Sequence, residues 1–412
     1  MVNSTVAIRN SGTGARTLDT NRLVLGTATA LLVALAWIVT QLPGARWQMP
    51  LLVLTGASIG FVLYRATFGF SNAFRWLLDE RNGRGIAAHA VMLALTSLLF
   101  FPILSLGQIG DVKLAGGATP IGVGFALGAV LFGIGMQIGG GCASGTLFSL
   151  GGGNGKLIAT LLFFVVGSTF GAAHMGFWWS LPTGSALTMQ GTFGWPLGLA
   201  LQLGLLFLIW LGARRLLATG QSEEERSVRQ SLARRLTQGP WPLVWGGVAL
   251  ALLNVVVLVL SGKPWGETSA FALWGSKLVT ALGVDAHQWA YWQRPGFAKQ
   301  LDQSVLLDVT SVMDFAILLG AAVAAAAAGA FRARWGGSRK AWIGAAIGGF
   351  LMGYGARMSN GCNIGAYFSA IGAGSVSGWV WMAFAIAGSY IGIRFRPLFD
   401  LSVFRKDDAV VC

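Results

Sequence analysis

Two of the three cysteines in this sequence stand inside glycine-rich frames, and they are the residues whose types and spacing can do chemistry. Cys142 lies in the run Gly139-Gly140-Gly141-Cys142-Ala143-Ser144-Gly145-Thr146, and Cys362 lies in Asn360-Gly361-Cys362-Asn363-Ile364-Gly365. A neutral thiol donates a weak hydrogen bond and presents a polarizable sulfur. These properties suit a soft sulfur anion that must be held briefly and released. A buried cysteine standing alone is most often an inert small hydrophobe, but repetition at an equivalent place favours a functional reading. Cys412 ends a polar tail and is read as incidental. With no CxxC pair and no neighbouring histidine, neither a disulfide framework nor a zinc site is expected.

The backbone around each cysteine adds to this chemistry. Three glycines follow an apolar helix before Cys142, and a stretch too short to cross a membrane separates them from Gly151–Gly153. The pattern predicts a broken helix, which is tolerated at membrane depth only where it is buried in protein or lines a polar cavity. Gly141, Gly145 and Gly361 let the main chain approach a ligand, and N–H groups at the start of the next half-helix favour an anion. Ala143, Ser144, Ile364 and Gly365 are the candidate donors. Small-residue helix packing also produces such glycine content; the repeated cysteine shifts the balance toward a site. Arg357, the only basic residue between Lys340 and Arg394, supplies a fixed positive charge whose counterpart in the first half is Gln137. Charged residues at such positions are costly and usually functional, against the alternative of an arginine snorkelling to the interface. Asn363 adds an amide donor and Tyr367 a hydroxyl. Carboxylates are absent from Lys113 to Ser222 and from Phe315 to Phe399, so neither loop has an acidic neighbour in sequence. That argues against a cation pathway and against carboxylate catalysis. His89, His174 and His287 are isolated and carry no assigned chemistry.

The two frames belong to an internal repeat. Aligned at an offset of 220 residues, Gly124–Gly152 and Gly344–Gly372 share twelve identities in twenty-nine positions, including the cysteine, a phenylalanine and a serine at fixed spacing. Threading the spans from a cytoplasmic N-terminus brings the two copies into the membrane from opposite sides, the pattern of an inverted repeat.

The elements that must position these loops are membrane spans. Hydrophobic residues make up 54% of the chain and charged residues 11%, with a mean hydropathy of +0.65, which excludes a soluble globular protein. Nine or ten apolar stretches reach the spanning length of about 20 residues, near 23–42, 50–68, 85–105, 119–138, 157–179, 195–213, 243–261, 311–331, 341–359 and 379–396. The expected fold is an all-α polytopic membrane bundle. The first span is too long for a signal peptide and lacks a small-residue cleavage site. The net charge of +14 gathers at span ends, the positive-inside pattern, rather than marking a nucleic-acid surface. Arginines at 214, 215, 226, 229, 234 and 235, the group Arg332, Arg334, Arg339 and Lys340, and the group Arg394, Arg396, Arg405 and Lys406 predict three cytoplasmic regions. The expected organisation is a cytoplasmic tail over 1–22, a first membrane half over 23–216, a charged cytoplasmic linker over 217–242, a second half over 243–398 and a cytoplasmic tail over 399–412. Within the second half, 262–310 is expected on the outer side, with Trp265, Trp274, Trp289 and Trp292 at the membrane interface.

At these residues the sequence resembles the YeeE/YedE family of bacterial sulfur-compound transporters. Gly140-Gly141-Cys142-Ala143-Ser144-Gly145-Thr146-Leu147 fits one family hallmark, and Gly355-Ala356-Arg357-Met358-Ser359-Asn360-Gly361-Cys362-Asn363-Ile364-Gly365-Ala366 fits the other. The resemblance implies an hourglass-like inverted-repeat bundle in the inner membrane, narrowed at its centre by short re-entrant helices, with no cofactor and with thiosulfate passing between the thiols of Cys142 and Cys362. A cytoplasmic sulfur-carrier or rhodanese-like protein is the partner it implies. Arg65-Ala66-Thr67-Phe68-Gly69-Phe70 departs from the family, placing glycine where a third cysteine is expected. The stretch from His287 to Trp292 looks more like the longer YedE branch. The rival readings are a membrane sulfurtransferase or redox partner carrying a cysteine persulfide, a channel-like sensor or structural subunit, and a transporter of another sulfur or selenium species.

Overall fold

The computed structural model describes residues 13–216 and 240–401. The charged part of the expected linker, most of the N-terminal tail and nearly all of the C-terminal tail, with Cys412, lie outside the described residues. The helices run α1 (Thr13–Gln41), α2 (Met49–Ala66), α3 (Phe70–Asp79), α4 (Arg84–Ser105), α5 (Val123–Ile138), α6 (Ala143–Gly151), α7 (Leu157–Ala173), α8 (Met175–Ser180), α9 (Met189–Phe193) and α10 (Trp195–Arg215). After the linker come α11 (Leu243–Ser261), α12 (Thr268–Ala281), α13 (Val309–Ala327), α14 (Arg339–Met358) and α15 (Val376–Phe395). A π-helix, Asn363–Ser369, follows Cys362. The only sheet among the described residues is a hairpin of Gln108–Ile109 with Val112–Lys113.

Each of the ten apolar stretches falls on a helix. Among the described residues, eight helical spans are long and apolar enough to cross a membrane, and α7 is an apolar helix of slightly shorter length. The twenty-residue α14 falls outside those eight, because five glycines and three basic residues dilute its hydrophobicity. Large side chains such as Leu31, Trp37, Phe163, Phe207 and Leu208 face outward, as lipid contact requires. The chain is a multi-pass, all-helical membrane protein.

Small residues set the packing inside. A Cβ built on Gly348 of α14 would lie 2.3 Å from the Gly139 nitrogen, so α5 and α14 meet backbone to backbone. Small residues at interfaces are the usual means of bringing membrane helices this close. The same kind of contact joins α7 to α14 at Gly353 and α2 to α13 at Gly60 and Gly320.

One end of the bundle is basic. Arg396 Nη1 donates to the Gln137 carbonyl near the end of α5 (2.6 Å), the Arg334 N–H donates to the Gly153 carbonyl (2.8 Å), and the Phe331 N–H donates to Asn21 Oδ1 on α1 (3.1 Å). At the other end the stretches before α5 and α15 are bridged to the segment around Thr183–Thr188. The segment over 262–310 folds into α12 and short helical turns, clasped by His287, whose ring nitrogens meet Asp285 (3.2 Å) and Asp302 (3.0 Å). Its tryptophans are not all interfacial. Trp265 and Trp292 are packed inside the protein, because Trp265 abuts Phe368 behind the π-helix and Trp292 donates to Ser276 of α12.

Candidate functional site

The chain breaks at Cys142 for reasons visible in the backbone. Helix α5 ends at Ile138, Gly140 takes a positive φ of 87°, and Cys142 becomes the N-cap of α6 in an extended conformation. Its carbonyl accepts the Thr146 N–H (2.8 Å) and the Thr146 hydroxyl (2.8 Å). The sulfur is left facing Ser144 Oγ at 3.4 Å. Gly141, Ala143 and Gly145 are buried around it.

Cys362 is placed the same way by the second break. Gly361, whose N–H donates to the Ala356 carbonyl of α14, reverses the chain, and the Cys362 carbonyl accepts the Ala366 N–H (2.8 Å). The Ile364 N–H donates to Cys362 Sγ at 3.4 Å, and Gly365 N–H also faces that sulfur. Three of the four expected donors therefore meet the thiols themselves, Ser144 through its hydroxyl and Ile364 and Gly365 through their N–H groups, and Gly145 joins them at Cys142. A π-helix in place of an α-turn is a rare form that recurs at functional sites. Both cysteines are 1% exposed and unpaired, and the two thiols are electrostatic neighbours.

From the two cysteines the short helices run to opposite ends of the bundle. Helix α6 finishes at the basic end, where Gly153 meets Arg332 and Arg334. The π-helix continues to Gly372, beside Thr96 and Phe100 of α4, and the next turn meets the other end through Gln190 Nε2 and the Ala373 carbonyl (2.9 Å).

Arg357 makes no hydrogen bond to either thiol. It sits in the last turn of α14, 6% exposed, with Nη1 donating to the Tyr291 hydroxyl (2.6 Å) and Nη2 to Thr268 Oγ1 (2.7 Å), while Nε has no hydrogen-bond partner. It lines a cavity of about 410 Å³ together with Arg294, Asn360, Thr119, Trp178 and Trp179. That lining holds two guanidinium groups and no carboxylate. The Arg294 guanidinium stacks over Trp179 (5.3 Å) and Phe297 (4.7 Å), an arrangement that holds a cation in place without neutralising it. Asn363 is fully buried, and neither its amide nitrogen nor its oxygen has a partner.

Two residues behind the thiols carry no mark in the loops themselves. The Cys362 thiol faces Glu267 Oε2 at 3.8 Å, so the acid-free neighbourhood along the sequence is not an acid-free neighbourhood in space. Asp314 of α13 is buried with both oxygens unpartnered and interacts electrostatically with Glu267. Its legible signal is a lone carboxylate inside an apolar run; Glu267 has no such signal, lying 95 residues before its thiol partner. His89 is enclosed by Phe68, Phe70 and Phe74, with Nδ1 3.4 Å from the Tyr367 hydroxyl. Gly69 caps α3 within this aromatic wall, two residues from Ser71, whose backbone faces Cys142.

Comparison with known proteins agrees with this architecture. The sequence profile described as "Sulphur transport" matches residues 65–391. The thiosulfate transporter TsuA of Spirochaeta thermophila is 28% identical over 82% of this chain and 96% of its own length. TsuA of Escherichia coli is 26% identical over 82% of this chain and 91% of its own length. The probable transporter YedE of Escherichia coli is 30% identical over 40% of each chain. A match that runs from before α3 into α15 and takes in both cysteine loops settles the relationship: this chain belongs to the YeeE/YedE sulphur transport family.

Proposed function

We propose that this protein takes up thiosulfate or a closely related inorganic sulfur anion across the bacterial inner membrane, through a pathway narrowed between Cys142 and Cys362. The observation that carries the reading is the pair of buried, unpaired thiols, each held at the start of a short helix with backbone N–H groups turned toward its sulfur. Such helix starts favour an anion, and a neutral thiol is a weak donor from which a soft anion leaves readily. The cavity at Arg357 and Arg294 is the outer vestibule in this reading, where uncompensated guanidinium groups concentrate the dianion before it meets the thiols. Asn363 supplies a spare amide donor next to Cys362.

The halves over 23–216 and 243–398 form an inverted repeat in this reading, supported by the twelve shared identities and by the two short helices leaving the cysteines in opposite directions. The basic end faces the cytoplasm by the positive-inside rule, which puts both termini there. The names of the TsuA relatives support thiosulfate as the substrate to test first.

In a strain lacking thiosulfate uptake, this chain is expected to restore growth on thiosulfate. The Cys142→Ala and Cys362→Ala variants are each expected to abolish that growth while remaining in the membrane at wild-type levels. Normal growth of both variants would remove the thiols from the pathway.

A further inference from the structure

The contact between Cys362 and Glu267 serves no purpose in passing an anion between thiols, because an ionised carboxylate there repels it. Glu267 immediately precedes α12 and is 1% exposed; Oε2 faces the thiol and Oε1 has no partner. Asp314, on the adjoining α13, is fully buried with both oxygens free. Neither carboxyl forms an ion pair among the described residues. A buried carboxyl without a cation is accommodated by carrying a proton.

The other ionisable groups around the pair do not neutralise it. Cys142 and Cys362 are thiols; α7, packed on α12, and α6, packed on α13, carry no ionisable residue, while Tyr64 and Arg65 of α2 and Asp19 and Arg22 of α1, also packed on α13, lie toward its far end, past the Gly60–Ile317 approach and by the Asn21–Phe331 contact. Arg357 of α14 is engaged by Thr268 and Tyr291, and Lys277 of α12 points to the carbonyls of Leu301 and Gln303. Asp308 caps α13 through Ser311. It lines a cavity of about 510 Å³ that also reaches Lys263, Gly266 and Met313. Gly266 and Met313 are the chain neighbours of Glu267 and Asp314, so this second cavity ends one residue along the chain from each buried acid. It is separate from the guanidinium-lined one.

We propose that Glu267 and Asp314 form a proton-binding pair that couples anion uptake to proton uptake, two protons accompanying each dianion. The proposal rests on the transporter reading above. A dianion entering alone works against an inside-negative potential by roughly fiftyfold per charge at 100 mV; two protons make the cycle electroneutral. Protonated, the pair neither repels the dianion at Cys362 nor requires a counter-cation. Ionised, it disfavours occupancy, and the linkage is reciprocal, so substrate raises proton affinity as protons raise substrate affinity.

The test uses the full chain in proteoliposomes with a pH-sensitive dye in the lumen and radiolabelled thiosulfate as the probe. For the wild type, thiosulfate addition acidifies the lumen with about two protons per anion, and an outside-acid gradient drives accumulation toward about hundredfold per pH unit. Glu267→Gln retains exchange of internal for external thiosulfate and loses both acidification and gradient-driven accumulation. Net thiosulfate uptake by the wild type without acidification overturns the coupling, as does a Glu267→Gln variant that acidifies like the wild type. Should that variant fail to fold, the wild-type proton ratio and the Asp314→Asn variant decide in the same way. Absence of thiosulfate exchange by the wild type would instead refute the transporter reading.

Discussion

Cys362 differs from Cys142 in what its sulfur touches. Cys142 meets a serine hydroxyl (3.4 Å); Cys362 meets a carboxyl oxygen (3.8 Å) and the Ile364 N–H (3.4 Å). The halves are therefore unequal at their most similar residue, and the second carries the polar surplus: Glu267, Asp314 and the unpaired Asn363 amide. Arg357 lines the guanidinium-bearing cavity, and in the proposed reading its effect belongs to capture rather than to passage. Replacing it with methionine removes a cation and two charge-assisted hydrogen bonds, each worth about 1.5–3 kcal/mol. The half-saturation concentration for uptake is expected to rise about tenfold or more while the maximal rate is largely kept. Lysine at 357 rescues little, because an ammonium cannot reproduce the planar fork that reaches Tyr291 and Thr268 together. Initial uptake rates over a concentration series measure this, and an unchanged half-saturation value contradicts it. The thiols are legible in the sequence because a rare residue type repeats in a glycine frame. Glu267 is not, because only the tertiary packing of α12 against α13 and α14 brings it to Cys362.

At the scale of elements, glycines decide how near the helices come, and the broken helices decide where the polar backbone faces. Gly60 on α2 stands so close to α13 that an added Cβ would lie 2.0 Å from the Ile317 carbonyl oxygen. Overpacking of this kind costs about 1–3 kcal/mol. Gly60→Ala is expected to lower the thermal midpoint of the detergent-solubilised protein by several degrees. Gly204→Ala on α10, where an added Cβ meets nothing within 4 Å, is expected to leave the midpoint unchanged or raise it slightly, because alanine favours the helix. Equal midpoints for the two variants, followed by tryptophan fluorescence during heating, would contradict this view of the packing. Hydropathy locates all ten apolar stretches on helices, because a span of lipid-facing helix leaves a continuous apolar record. It says less about α14, diluted by its own glycines, and little about residues 262–310. There, burial of Trp265 and Trp292 depends on side-chain packing that no local pattern encodes.

For the molecule as a whole, charge and thiols fall along one axis. The basic end gathers Arg332, Arg334 and Arg396, and the guanidinium-lined cavity opens beside the Thr119–Asn360 contact (2.8 Å) near the start of α5. The cysteines stand between them, where α6 and the π-helix begin. In the proposed pathway an anion is attracted from one side, passes two neutral thiols at the narrowing and leaves toward the other. Gly69 stands where the family resemblance expects a third cysteine, so the proposed relay has two thiols, and Phe68, Phe70 and His89 form an aromatic wall around that position. The most direct measurement is flux of radiolabelled thiosulfate into proteoliposomes holding the wild type, Cys142→Ala or Cys362→Ala, with sulfite, sulfide and selenite as competitors. The account predicts saturable uptake by the wild type and loss of at least about tenfold in each variant, a factor equal to roughly 1.4 kcal/mol of lost stabilisation along the path. Wild-type flux through both alanine variants would contradict it.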